Sequence, residues 1–314
     1  MKVGRFNGGD GAERLGVVLG AGTALRVLDL TAAAHAHAPA QGGAAKLRDM
    51  DSLMDAGRAG LDSAYGLIEW AERSGDADWF QPELSVPWLT PLNVRHCIAG
   101  GRNFGAHMAE SMEYWKARGV NAHTEIPMGF MKLASSMVPT RATVRRPPET
   151  QWFDYEIEAA VVIGRSVECV SEAEALDAVF GYTILNDLSA RELQRKEMQN
   201  QSILLGKNFP GLGPLGPWIL TADEVPDPSV LNLELTVNGE VRQQAKCTDL
   251  IFGFPALIAH WSRMGLARGD LITTGSPEGV AISRKPDPMP FYLQPDDVVR
   301  ATVEQIGTLE TRIA

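Results

Sequence analysis

At residues 154–163 the sequence reads Asp-Tyr-Glu-Ile-Glu-Ala-Ala-Val-Val-Ile. Its β-branched residues predict a strand, and the two-residue period of a strand places Asp154, Glu156 and Glu158 on one face. Neighbouring carboxylates repel one another, and burial adds to the cost, unless a cation or a proton relieves it. Such oxygen ligands suit Mg²⁺, Mn²⁺ or Ca²⁺. The pattern also fits the solvated face of an edge strand, so spacing alone leaves both interpretations open.

A fourth carboxylate follows the next predicted strand. A helix is predicted at 171–180, where Ser171 and Glu174 have the spacing of a capping box. The apolar strand 181–186 then leads into Asp187, which lies at a strand end just before a polar helix. A short connecting helix lets the flanking strands lie side by side, so Asp187 can join the acidic strand in one site.

A glycine-rich turn leads into a helix at residues 100–110, which read Gly-Gly-Arg-Asn-Phe-Gly-Ala-His-Met-Ala-Glu. His107 and Glu110 lie one turn apart on a common face, where the carboxylate can orient the imidazole as a general base for water. The alternative is an exposed helix pair that stabilises the helix by about 0.3 kcal/mol. The glycines match neither G-x-G-x-x-G nor a P-loop, so no nucleotide site is predicted.

Two loops rich in glycine and proline, 207–218 and 273–279, can bring backbone close to a ligand, although both also fit rigid structural turns. Lys207 is a cation that could counter a developing oxyanion, and Thr274 or Ser276 could hydrogen-bond a substrate carboxylate. Lys132 follows apolar residues and is predicted to find a charged partner in the same pocket.

The bulk composition indicates a soluble globular protein. Of 314 residues, 45% are hydrophobic and 22% are charged, and the net charge of -10 argues against nucleic acid as a partner. A bound cation would offset this acidity at a site for an anionic substrate. Three separated cysteines indicate neither disulfides nor a zinc site, and we expect no membrane span and a cytoplasmic location.

The proline-containing residues 79–93 mark a predicted domain boundary. Before this segment, short apolar runs up to about residue 30 predict a small β module, followed by helices within 31–45 and 50–73. We therefore expect a small N-terminal domain at 1–90 and a β-rich α+β domain at 91–314. Further strands are predicted at 155–163, 231–237, 270–274 and 298–306, and a further helix at 249–263.

Taken in order, these motifs resemble those of the fumarylacetoacetate hydrolase superfamily, in particular its acylpyruvase and 2-hydroxyhepta-2,4-diene-1,7-dioate isomerase-like branch. The segment 101–110 is similar to the helical lid of that family, 154–158 to its metal-binding strand, and 186–191 to the segment with its third metal ligand. The resemblance implies a rolled mixed β-sandwich that forms a homodimer. Similar strings also occur at 274–280, 284–286 and 306–309.

The resemblance also implies roles for individual residues. His107 and Glu110 would form a water-activating dyad, and Lys207 would stabilise charge on the substrate. The implied ligands of Mg²⁺ or Mn²⁺, with Ca²⁺ able to replace them in crystals, are Glu156, Glu158 and Asp187. Asp154 becomes a supporting residue. The implied substrate-binding residues are Lys132, Arg191, Gln194, Thr274 and Ser276.

The implied activity is hydrolysis of a carbon–carbon bond in a small 1,3-dicarbonyl oxo-acid such as an acylpyruvate. Relatives with the same metal site act as decarboxylases, hydratases, isomerases or ureidoglycolate lyases, and the sequence does not separate these. A noncatalytic protein that binds an oxo-acid or a metal would not need the dyad. Departures from the family bear on the substrate: Phe104 and Ser276 replace a usual tyrosine and threonine, 208–210 lacks a usual aspartate, and 111–126 is longer than in compact relatives.

Overall fold

The computed structural model describes residues 1–22, 24–37, 43–75, 77–116 and 125–314, with 77 and 111–116 described as backbone. Its strands are β1 (Lys2–Asn7), β2 (Glu13–Leu19), β3 (Arg26–Asp29), β4 (Phe80–Pro82), β5 (Cys97–Gly101), β6 (Met128–Lys132), β7 (Met137–Val138), β8 (Ala142–Val144), β9 (Phe153–Asp154), β10 (Ile157–Ile163), β11 (Val179–Asn186), β12 (Ser189–Ala190), β13 (Gly213–Thr221), β14 (Asn232–Val237), β15 (Glu240–Lys246), β16 (Leu271–Thr273), β17 (Val298–Val303) and β18 (Gly307–Ile313). Its helices are α1 (Leu30–His37), α2 (Gly43–Lys46), α3 (Met50–Ser74), α4 (Gly105–Lys116), α5 (Glu172–Ala175), α6 (Arg191–Gln199), α7 (Leu205–Asn208) and α8 (Phe254–Ser262). The predicted β-rich α+β architecture is confirmed.

The larger sheet carries the acidic motifs at its centre. Within the described residues it has eleven strands, in the order β4-β3-β2-β1-β13-β11-β10-β16-β5-β6, with β7 paired to β13. Every residue of β10 is buried, because an uninterrupted apolar run can be covered on both faces. β11 runs antiparallel to β10 with Ile157 opposite Asn186. This register places the start of β10 beside the end of β11.

The smaller sheet packs against the larger one. Its strands lie in the order β15-β14-β17-β18-β8. β14 alternates buried and partly exposed residues, as expected for a strand with one covered face. Leu233 and Leu235 of β14 belong to the same hydrophobic cluster as Ile157 and Val161 of β10. The two sheets therefore form a sandwich with a shared core, and that core lies under the start of β10.

The first ninety residues extend the larger sheet. β1 pairs antiparallel with β13, with Lys2 opposite Leu220, and β2, β3 and β4 continue outward from it. A second hydrophobic cluster contains residues from both sides of the expected boundary, such as Leu53 of α3 and Ile219 of β13. β4 lies inside the predicted connector 79–93. The division of the chain at residue 90 remains a prediction, and the sheet continues across it.

Two predicted helices are shorter than expected. The helix at 171–180 has the predicted capping box, but β11 already begins at Val179 because Phe180 is buried in the sheet. The helix at 249–263 begins at Phe254, after a 3-10 turn. Among the helices described, none combines the length and the apolar composition that a bilayer span needs.

Candidate active site

Three buried carboxylates meet where β10 begins and β11 ends. One oxygen each from Glu156, Glu158 and Asp187 lies within 4.8 Å of the others. Two hydrogen bonds between the segments fix this arrangement. Asp187 N donates to the backbone carbonyl of Glu156 at 2.8 Å, and Glu156 N donates to the side-chain oxygen of Asn186 at 3.0 Å. The structure thus brings together the three residues predicted to bind a metal ion.

Asp154 does not belong to this group, although a continuous strand would place it on the same face. The strand is interrupted, because β9 ends at Asp154 and β10 begins at Ile157. The Asp154 carboxylate accepts hydrogen bonds from Arg191 Nε at 2.7 Å and from the amides of Ala281 and Ile282 at 2.8 and 3.1 Å. It therefore supports the site indirectly, because it holds Arg191 of α6 and the loop at residues 281–282 in place.

Three buried cations lie among the carboxylates. Lys207 Nζ donates to Glu156 and, at 2.6 Å, to Asp187. Lys132 Nζ donates to the other oxygen of Asp187 at 2.5 Å, and Arg191 Nη2 donates to Glu156 at 2.6 Å. None of these three side chains is more than 6% exposed. We call the following seven residues the site floor: Lys132, Asp154, Glu156, Glu158, Asp187, Arg191 and Lys207.

The carboxylates of the site floor differ in their pKa values. Burial disfavours ionisation of Glu156, but Arg191 and Lys207 outweigh burial and hold the pKa of Glu156 well below its ordinary value. Burial, reinforced by the charges of Asp187 and Glu156, raises the pKa of Glu158 well above its ordinary value. Glu158 accepts a hydrogen bond from Thr273 Oγ1 and forms no ion pair with any described residue.

This set of side chains fits a divalent cation. Three carboxylate oxygens close to one centre are hard ligands of the kind that Mg²⁺, Mn²⁺ and Ca²⁺ prefer. Glu158 forms no ion pair within the described part of the chain, and a cation beside it would allow it to ionise in the interior. When all groups are ionised, the carboxylates of the site floor outnumber its cations by one. A divalent cation would therefore change the net charge of the floor from negative to positive.

A cavity of about 410 Å³ opens above the site floor. Its wall also carries the basic residues Arg102, Arg195, Arg284 and Lys285, so an anionic ligand meets positive charge at several points. The predicted site residues that line the cavity are His107, Glu110, Glu156, Glu158, Arg191, Gln194, Lys207 and Ser276. The predicted site residues that are not on its wall are Lys132, Asp187 and Thr274.

Lys132 and Thr274 hold the site together from outside the cavity. Lys132 is 1% exposed, and its Nζ donates to the carbonyl of Lys207 as well as to Asp187. Thr274 Oγ1 accepts a hydrogen bond from Ala159 N at 3.2 Å and so fastens its loop to β10. Substrate contact by these two residues remains a prediction, whereas their contacts with neighbouring site residues are direct.

The predicted dyad lines the cavity at the first turns of α4. His107 Nδ1 lies 3.6 Å from Glu110 Oε2, and the two side chains are 18% and 28% exposed. Gly279 N donates to both carboxylate oxygens of Glu110, at 3.0 and 3.2 Å, which fixes the carboxylate beside the imidazole. The pair therefore faces a cavity and is not a fully solvated helix pair. Of the lengthened segment predicted at 111–126, the side chains of 111–116 and all of 117–124 lie outside the described residues.

The sequence interpretation did not single out Gln243. This residue lies in β15 and is 1% exposed, and its Nε2 donates to Ser276 Oγ at 2.9 Å. A signal for it exists in the sequence, because Gln243 and Ala245 occupy the inward positions of an alternating strand. A polar residue at an inward position must find partners in the interior.

Comparison with known proteins places the chain in a family. A model of the Fumarylacetoacetate (FAA) hydrolase C-terminal family matches residues 96–314. An uncharacterised protein of Staphylococcus aureus is 38% identical over 250 residues, which cover 78% of each chain. The chain therefore belongs to the fumarylacetoacetate hydrolase family, whose members are enzymes.

Solved structures of two relatives resemble the whole chain. One is a fumarylacetoacetate hydrolase from the psychrophilic Exiguobacterium antarcticum, with 29% identity and a TM-score of 0.75. Another is a 5-carboxymethyl-2-hydroxymuconate delta-isomerase from Mycobacterium smegmatis, with 27% identity and a TM-score of 0.71. Each comparison covers 100% of this chain and 99% of the other chain. Hydrolases and isomerases thus share this fold, and the site must distinguish between them.

Proposed function

We propose that this enzyme is a metal-dependent hydrolase that cleaves a carbon–carbon bond in a small 1,3-dicarbonyl oxo-acid of the acylpyruvate type. One observation carries the proposal: the His107–Glu110 dyad lines the same cavity as Glu156, Glu158 and Lys207. The proposed reaction needs a base for water, which the dyad would supply. It also needs a centre that stabilises an enolate, which the metal-binding carboxylates and Lys207 would supply.

Charge supports an oxo-acid as the substrate. Mg²⁺ or Mn²⁺ held by Glu156, Glu158 and Asp187 would act as a Lewis acid on the oxygens of a 2-oxo acid. The site floor would then carry one excess positive charge, which matches a single carboxylate. Gln194 and Ser276 on the cavity wall offer hydrogen bonds that would orient the bound acid.

The residues of this chain would divide the reaction between them. His107, which lies beside Glu110, takes a proton from water, and the water oxygen bonds to the distal carbonyl carbon of the substrate. The bond from that carbon to the neighbouring methylene then breaks, and its electron pair goes to the enolate of the oxo-acid. Lys207 lines the same cavity, and its ammonium would stabilise that charge. His107 returns the proton to the methylene carbon, which gives a carboxylic acid and a 2-oxo acid.

The rival activities use the same site floor but do not consume water in this way. Decarboxylation, isomerisation or ureidoglycolate cleavage proceeds without attack of water on a ketone carbonyl, and hydration adds water without breaking a carbon–carbon bond. The dyad on the cavity wall favours hydrolysis over these alternatives, and it also favours an enzyme over a protein that merely binds an oxo-acid or a metal ion.

The test is a substrate screen in ¹⁸O-labelled water with Mg²⁺ or Mn²⁺ and with EDTA as the control. Acylpyruvates, oxaloacetate and unsaturated oxo-acids are incubated with the enzyme, and the products are identified by mass spectrometry. We expect an acylpyruvate to yield two acids, with one ¹⁸O atom in the acid that comes from the distal carbonyl. Turnover of oxaloacetate only, with release of CO₂, would contradict the proposal and identify a decarboxylase. A product with the same mass as the substrate would also contradict it and identify an isomerase.

We also propose that the enzyme is a cytoplasmic homodimer. Among the described residues, β6 is the outermost strand on its side of the larger sheet and exposes Met131, and Leu133, Leu204 and Leu205 are exposed nearby. Exposed apolar residues beside a strand edge to which no described strand is paired support pairing with a second copy. The three unpaired cysteines support a reducing compartment, which cell fractionation would test.

The dimer is tested by sedimentation of Leu205→Glu. We expect this variant to be monomeric, because the new charge would be buried at the interface. Leu84→Glu is the matched control, since Leu84 is an exposed leucine far along the chain from Leu205. A monomeric parent protein would contradict the proposal.

A further inference from the structure

Gln243 joins the two sheets at the edge of the active site. It lies in β15 of the smaller sheet and is 1% exposed. Its Oε1 accepts a hydrogen bond at 3.0 Å from the amide of Ile157, the first residue of β10. Its Nε2 donates to Ser276 Oγ at 2.9 Å and to the carbonyl of Pro277 at 3.0 Å. A single amide group therefore connects the strand of the metal ligands with the loop that begins at Ser276.

That loop leads directly to the dyad. Gly279 follows the anchored residues, and its amide donates to both carboxylate oxygens of Glu110, at 3.0 and 3.2 Å. Glu110 in turn lies beside His107. Hydrogen bonds and the loop thus lead from Ile157, which is flanked by Glu156 and Glu158, to Glu110, whose Oε2 lies 3.6 Å from Nδ1 of the proposed base.

The loop has little room to move on β15. Gly279 has a φ of +92°, and a Cβ atom at this position would lie 2.2 Å from the carbonyl oxygen of Arg242. Arg284 Nη2 donates to the carbonyls of both Gly279 and Arg242. Arg284 thus ties the backbone of the loop to Arg242, Gln243 holds the start of the loop, and a residue with a side chain would not fit at position 279.

We propose that Gln243 is a positioning residue, which sets the placement of the His107–Glu110 dyad relative to the metal-binding carboxylates. It does this by fixing the loop 276–279 against β10, and its described hydrogen bonds go to Ile157 and the loop and not to the dyad or the carboxylates. The catalytic consequence rests on the proposed function, whereas the structural link between Gln243 and Glu110 does not. A positioning residue affects how the base and the attacking water are aligned with the substrate. A displacement of such a group by about 1 Å can lower the rate roughly a hundredfold.

Gln243→Glu tests this role with almost no change in shape. The variant keeps the oxygen that accepts from Ile157 N, but it loses the N–H donors and turns a carboxylate oxygen towards the Pro277 carbonyl. Gln244→Glu is the matched control, because it is the same substitution one residue along on the exposed face of β15. Gln243→Met serves as a second variant of similar length if the glutamate variant does not fold.

Three measurements separate a local role from general destabilisation. Amide hydrogen exchange by NMR is expected to accelerate at Gly279 by about tenfold or more, without a matching change in β17 and β18. Mn²⁺ affinity is expected to stay within about threefold of the parent value, because the metal ligands are untouched. With a substrate identified in the screen, kcat is expected to fall by about tenfold or more with little change in KM.

The outcomes distinguish this proposal from the proposed function. Unchanged exchange at Gly279, or a loss of Mn²⁺ affinity that parallels the loss of kcat, would overturn the positioning role. Acceleration throughout both sheets would also overturn it, since Gln243 would then be a general stability residue. If no oxo-acid is turned over by the parent enzyme, the proposed function fails while the exchange and metal measurements still decide the role of Gln243.

Discussion

The site floor and the surface of the N-terminal region both contain ion pairs, but they place them in opposite surroundings. Arg26 and Glu72 form a pair at 2.9 Å with both side chains about half exposed. Lys207 and Asp187 form a pair at 2.6 Å with side chains 2% and 1% exposed. Exposed pairs stabilise a fold by about 0–1 kcal/mol, whereas buried charges are costly to desolvate and very costly to leave unpaired. The buried network is therefore best explained by function, and the surface pair by solubility.

The largest difference between the two regions is expected for Asp187→Asn. The substitution removes a proposed metal ligand, the carboxylate paired with Lys132, and one of the two carboxylates paired with Lys207. We expect Mn²⁺ binding and turnover to be lost together and the free energy of unfolding to fall by about 3 kcal/mol. Calorimetric titration with Mn²⁺ and urea unfolding measure the two effects. Asp62→Asn, in an exposed pair with Arg58, is the matched control, and an unaltered Mn²⁺ affinity in Asp187→Asn would contradict the assignment of this ligand.

His107→Ala is expected to lose turnover but to keep metal binding. His107 lies on α4 at the cavity wall and forms no part of the site floor. We therefore expect turnover to fall by about 10²–10⁴-fold while Mn²⁺ affinity is retained. Steady-state kinetics and calorimetry on the same preparation check this separation. Full activity in the variant would remove the role of His107 in activating water.

The site floor should also respond to pH in a way that the surface pairs do not. The raised pKa of Glu158 means that the folded protein keeps a proton which the unfolded chain loses near the ordinary value of 4.5. This stabilisation is complete below that value and is lost as the pH rises through the folded pKa. The pKa of Glu156 is lowered, so its contribution is already constant above the ordinary value.

A divalent cation must displace the proton on Glu158, so its stabilising effect should grow with pH. We expect the increase in Tm caused by Mn²⁺ to be larger at pH 8 than at pH 5.5, measured by thermal denaturation with and without the ion. Glu158→Gln should weaken the effect of Mn²⁺ and flatten its pH dependence. An equal effect of Mn²⁺ at both pH values in the parent protein would show that no such proton is displaced.

The smallest effect is expected for Glu72→Gln in the surface pair. Because both partners are about half exposed, the free energy of unfolding should change by less than about 0.5 kcal/mol. The glutamate is the better partner to replace, since Arg26 also stacks on Phe80 at 4.4 Å and would lose that packing as well. Urea unfolding at low and high salt measures the change. A loss as large as that of Asp187→Asn would abolish the distinction between the two regions.

The parts of the site that could be predicted are those in which the motif and its partner share a local segment. Glu156 directly precedes β10, which contains Glu158, and the His107–Glu110 pair lies within one helix, so local periodicity brings the members of each pair together. Asp187 could be predicted because it directly follows the strand that pairs with β10. The β-rich class followed from the alternating and apolar runs in the same way.

The parts that could not be predicted depend on contacts between distant segments. The break between β9 and β10 follows from Asp154 binding Arg191 and the amide of Ala281, neither of which lies near it in sequence. The position of Lys132 beneath Asp187, and the link from Gln243 to Ile157, likewise join segments more than fifty residues apart. Periodicity shows that such residues point inwards, but it does not identify the partners that they meet.

The lysines of the site floor have a consequence for how the enzyme matures. Lys132 and Lys207 already provide counter-charges for Asp187, and Lys207 and Arg191 provide them for Glu156. A chain that carries its own counter-ions can complete folding after synthesis before any metal ion arrives. If the site floor binds a metal ion as proposed, that ion could be loaded into a finished protein and exchanged when the supply of metals in the cell changes. Metal availability would thus control how much of the enzyme is active without controlling how much of it is folded.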